Sequence, residues 1–85
     1  MDSRFGTAVN KTSTASVWGS AGRLLGFYVN STSTGTLVLR DGGASGTVLC
    51  GTITPAIGFH RFPVAFNQSL HATIANTLDV TFFVN

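Results

Sequence analysis

RLLGFYVNSTSTGTLVLRDGGASGTVLCGTIT, residues 23–54, holds three apolar runs separated by two polar, Gly-rich connections. Leu25, Phe27 and Val29 alternate in the first run, Leu37 and Leu39 in the second, Leu49 and Ile53 in the third. Alternation at a period of two is the mark of half-buried strands, and the connections are made of turn-forming residues. Ser31 to Gly35 is polar enough to turn the chain, and Asp41-Gly42-Gly43 supplies glycines that tolerate positive φ. The stretch therefore predicts a three-stranded antiparallel meander.

Outward from it the same grammar continues. Val17 and Trp18 begin the packed domain as a short strand, and Gly19 to Gly22 turn the chain. Pro55 ends the third strand of the meander, because proline cannot donate to a ladder. In residues 59–66, FHRFPVAF, the residues Phe62, Val64 and Phe66 alternate inward, and Pro63 predicts an edge strand or a bulge. Leu70, Ala72 and Ile74 form a weaker strand. A tight turn is expected at Asn76-Thr77, and Leu78, Val80, Phe82 and Val84 alternate in the last strand. No window shows a helical period. The expectation is an all-β fold, a small antiparallel β-sandwich or jelly-roll-like barrel of about seven short strands. Residues 17–85 make the β-domain. Residues 1–16 are expected as an extended N-terminal arm, anchored on a partner by Phe5 and Val9, or else as a frayed end.

Composition narrows the function classes. The 85 residues make one domain, and its core is small for its surface. Cys50 is the single cysteine, so no disulfide can form within the chain, and Cys50, His60 and His71 are too few for a closed zinc site. The chain is 44% hydrophobic and only 9% charged, against about 25% charged in an ordinary soluble domain, which favours self-association. The net charge of +2 comes from five dispersed cations, so no nucleic-acid footprint is expected. No apolar run is long enough to cross a membrane. The start lacks a charged stretch followed by an apolar one, so no secretory leader is expected, and the lone cysteine suits a reducing cytoplasm.

Chemistry-bearing residues are sparse. There is no Glu, and the acids are Asp2, Asp41 and Asp79. A metal held by His60, His71 and Asp79, with His71 and Asp79 as cross-strand neighbours, is weighed against a surface His–Asp pair, and the pair is preferred. Cys50 reads as a small buried hydrophobe rather than a nucleophile. DGGASG and GSAG lack the lysine and the strand–loop–helix setting of a phosphate loop. No catalytic residue, metal site or cofactor is expected.

What remains is a surplus of apolar side chains. With the inward set already filling a core, Tyr28, Val38, Val48, Phe59 and Phe83 fall on opposite faces. Such a surplus marks an interaction surface. The candidate partner-binding residues are Phe5, Val9, Trp18, Tyr28, Val38, Phe59 and Phe83. Trp18, Tyr28, Phe59 and Phe83 are also weighed as a sugar-stacking platform, against interface or core packing, which is preferred.

Three segments carry a family resemblance: GRLLGFYVNSTSTGTLVLRDG (22–42), GTVLCGTITPAIGFHRFPVAF (46–66) and LDVTFFV (78–84). Together they make the chain from Ala15 onward similar to small all-β virion structural proteins of tailed bacteriophages, of the head decoration or cement type. The resemblance implies a non-enzymatic protein made in the host bacterial cytoplasm and carried on the capsid surface of the virion. There it would bind the major capsid protein shell as an oligomer, with a trimer favoured, and stabilise it. It also implies that residues 1–16 are the arm that grips the shell. A tail, fibre or neck component and a carbohydrate-binding adhesion module are the alternatives.

Overall fold

The computed structural model describes residues 6–85, so Phe5 lies outside the described residues. The chain is all-β: β1 (Thr7–Lys11), β2 (Ala15–Trp18), β3 (Gly22–Asp41), β4 (Thr47–Ile53), β5 (Gly58–Phe66) and β6 (Leu70–Val84). All pairings are antiparallel, in one sheet with the path β1-β6-β3-β4; β2 also lies on β6, and β5 on β3. Among the described residues no helix is long and apolar enough to cross a membrane.

The frame is the ribbon of the two long strands. β3 and β6 pair from Leu24 opposite Val84 to Asp41 opposite Leu70. The other edge of β6 takes β1 along its C-terminal half and β2 along its N-terminal half. The other edge of β3 takes β5 along its N-terminal half and β4 along its C-terminal half. Each half of the ribbon is thus the centre of four strands, β1-β6-β3-β5 in one half and β2-β6-β3-β4 in the other.

Two expected turns prove to be one bend. Ser31 to Gly35 does not reverse the chain, and neither does Asn76-Thr77; both segments lie inside continuous strands, directly opposite each other. The turn chemistry is present, since Thr34 and Asn76 adopt φ of 53° and 61°. The two irregularities face each other and are tied together, so the ladder kinks rather than ends. The Asn76 amide donates to the Thr34 carbonyl at 2.9 Å, and the Thr32 hydroxyl donates to the Thr77 carbonyl at 3.3 Å. Gly35 is required here, because a Cβ would run into the Thr77 carbonyl and sit 2.7 Å from the Leu78 Cβ. The predicted meander is therefore replaced by one bent strand and a single hairpin, β3–β4. Two mergers of this kind and the addition of β1 turn about seven expected strands into six among the described residues.

Residues 7–11, expected within the arm, are strand β1, in register from Thr7 opposite Val84 to Lys11 opposite Val80. Thr14, in the β1–β2 connection, both donates to the Ile74 carbonyl (3.1 Å) and accepts from the Ile74 N–H (2.9 Å). These bonds hold residues 7–18 as part of the sheet.

The inward faces of both halves belong to one core cluster. Leu24, Phe27, Val29, Val80, Phe82 and Val84 come from one half, and Leu37, Leu39, Leu70, Ala72 and Ile74 from the other. No polar residue is buried among the described residues. A bulge between Leu24 and Gly26 corrects one expectation. The extra residue shifts the phase, so Leu24 is fully buried and Leu25 only partly so. Irregular pairing of β4 with β3 likewise breaks the strict alternation there, and Leu49, Cys50 and Ile53 all pack on the core. Pro63 sits, as its chemistry requires, on edge strand β5 at the same bulge.

Candidate functional site

The outward face of the β1-β6-β3-β5 half carries the densest group of exposed aromatic side chains. Register places Ala8, Phe83, Gly26 and Arg61 in one row and Asn10, Thr81, Tyr28 and Phe59 in the next. Phe59 is 56% exposed and Tyr28 42%. The Phe59 ring leans across the side-chain-free surface of Gly26, where a Cβ would meet its Cζ at 2.8 Å, and reaches Phe83 with ring centroids 6.1 Å apart, tilted by 52°. Gly26 thus makes the hollow into which the ring folds, a tilted arrangement that suits two quadrupoles.

A polar cluster borders the rings. The Asn10 amide donates to Asp79 Oδ1 (2.7 Å) and Thr81 Oγ1 (3.1 Å), and the Asn30 amide donates to Thr81 Oγ1 (2.9 Å) and Asp79 Oδ1 (3.3 Å). Two amides thereby steady one carboxylate beside Tyr28. Arg61, on the opposite side of the patch, has no acidic partner among the described residues.

The remaining predicted residues lie elsewhere. Val9 and Trp18 pack partly buried against the chain's own core. Val38 is half-buried on the outward face of the other half, opposite Thr73. Tyr28, Phe59 and Phe83 are therefore the three that come together. Ile57, 64% exposed in the β4–β5 connection, and Val48, 51% exposed, add apolar surface beyond that face. Neither Ile57 nor the Asn10–Asn30–Asp79 cluster was legible in the sequence. The cluster joins residues on three strands, and only register could have found it.

The titratable groups are scattered. His60 faces inward, stacked on Phe27 with centroids 5.2 Å apart, and its Nε2 lies 2.7 Å from the Ala56 carbonyl. His71 is not a cross-strand neighbour of Asp79; both lie on β6, and His71 sits opposite Ser16 and Arg40. Its Nδ1 is buried without a hydrogen-bond partner among the described residues. No three His, Cys, Asp or Glu residues cluster as metal ligands among the described residues, and these enclose no pocket. Burial raises the Cys50 thiol above its ordinary pKa, which keeps it protonated and poorly nucleophilic. Asp41 is pushed the other way: the backbone N–H groups of Asn67, Gln68 and Ser69 donate to its carboxylate at 2.8, 2.9 and 3.3 Å and hold it below the usual range. Asp41 thereby pins the β5–β6 turn to the end of β3, a structural task.

Compared with protein-family models, curated proteins and solved structures, the chain matches none.

Proposed function

We propose that this protein is a virion structural protein of a tailed phage, a decoration or cement protein that coats the outside of the capsid as an oligomer, a trimer being favoured. The observation that carries the proposal is the exposed apolar surface. A chain whose core is already filled still leaves Tyr28, Val48, Ile57 and Phe59 exposed, on a body without a cleft among its described residues. Surface of that kind is stable when covered. Several weak contacts made at once by one oligomer would hold a shell firmly.

The finer architecture belongs to the same proposal. With β3 and β6 each counted as two halves, eight segments pair first with last and inward from there. β1 pairs the end of β6, β2 its beginning, β5 the first half of β3, and β4 its second half. Folded at the bend around the shared core, this is the strand order of a small jelly roll, an architecture used by capsid and lectin domains.

Binding to shells is the test. Purified protein added to shells lacking it should co-sediment to a fixed ratio and raise the temperature at which they open. Protein that stays in the supernatant at every concentration contradicts the proposal. A second reading, a carbohydrate-binding adhesion module, is favoured by one observation: Asn10, Asn30 and Asp79 border Tyr28 and Phe59, and sugar sites pair rings with amides and acids. Glycan-array binding abolished by Tyr28→Ala without unfolding would establish it, and a blank array would end it.

A further inference from the structure

We infer that the outward face of the β1-β6-β3-β5 half is where copies of this chain join one another. The inference rests on the proposed oligomeric role and assigns it a surface.

Three observations single out this face and this occupant. The first is shape. Tyr28, Phe59 and Phe83 lie side by side on a sheet face where the described residues enclose no pocket for a small molecule, whereas a second sheet or strand edge can lie flat against the rings. The second is charge. Arg61, exposed and without an acidic partner among the described residues, lies two residues beyond Phe59 on β5, on one side of Tyr28. Asp79 lies two residues beyond Thr81 on β6, on the other side. One copy can therefore offer its cation side to the carboxylate side of the next, and the same contact repeats around a closed ring. The third is the outer edge of β5, which among the described residues pairs only with β3. An exposed edge invites association unless something covers it, and a copy seated on Phe59 also shields that edge. Val48 lies on the other half of the molecule, so surface is left for the shell.

Sedimentation velocity across a concentration series tests the assignment. The 85-residue chain should form a discrete oligomer at micromolar concentration. Tyr28→Ser and Phe59→Ser remove exposed rings and leave the core intact; each should raise the dissociation constant at least about tenfold with an unchanged far-ultraviolet spectrum. Arg61→Asp should weaken association too, and adding Asp79→Arg should restore part of the loss. A wild-type monomer, or an oligomer indifferent to Tyr28→Ser and Phe59→Ser, overturns the inference. A monomer that still binds shells would sink the inference alone; an oligomer dispersed by these substitutions that ignores shells would sink the cement role alone.

Discussion

At the scale of the residue, the fold depends on where single side chains stand relative to the ribbon. Asp41 shows how an exposed carboxylate can matter. Its folded pKa is lowered by the Asn67, Gln68 and Ser69 N–H groups, so its contribution to stability is present above the unfolded carboxylate value and lost as pH falls through the lower folded value. Asp41→Asn should lower the melting temperature near neutral pH, and the gap from wild type should close in acid below the ordinary carboxylate range. A gap that stays constant with pH would contradict this. Phe82 is fully buried, whereas Phe62 is only partly so. Chemical denaturation should therefore give a loss of ~3–5 kcal/mol for Phe82→Ala and a clearly smaller one for Phe62→Ala. Equal losses would mean that β5 sits deeper than described. Most of this was legible from alternation: Phe27, Val29, Leu37, Leu39 and Phe82 are buried as their period predicts. Leu25, expected inward, gives its place to Leu24 because a bulge inserts half a period, and no local composition announces it.

At the scale of the element, the bend decides the architecture. Gly35 and Asn76 tolerate positive φ, and the Ser and Thr hydroxyls of residues 31–34 and 77 can bond nearby backbone; a sequence shows these turn preferences without showing whether the chain reverses or merely kinks. The outcome is set by the facing strand, which is remote in sequence. For the same reason β1 escaped detection: Thr7 to Lys11 holds one large apolar residue, Val9, and its pairing is dictated by the open edge of β6. The consequence is testable. Deleting residues 1–12 strips β1 from Val80–Val84, uncovers Val9's place on the core and leaves a long apolar edge. The truncated protein should melt at a distinctly lower temperature and aggregate more readily than the full chain. An unchanged melting temperature would show that residues 7–11 do not hold the sheet together.

At the scale of the whole molecule, a saturated core sits beside an unsaturated surface. A small, nearly uncharged chain cannot bury every ring it carries. Tyr28, Phe59 and Phe83 are gathered on one outward face by the pairing of β5 and β6 on β3. The surplus itself could be counted from the sequence; its concentration on one half of the ribbon, beside Asp79 and Arg61, could not, because it depends on strand order. The most direct test of the proposed role is a cryo-electron density map of tailed-phage heads saturated with the purified protein. Symmetric density is expected on the outer shell into which copies of the chain fit, with Tyr28 and Phe59 turned towards neighbouring copies. A map with no such density on the head, or with those rings facing open solvent, would contradict it.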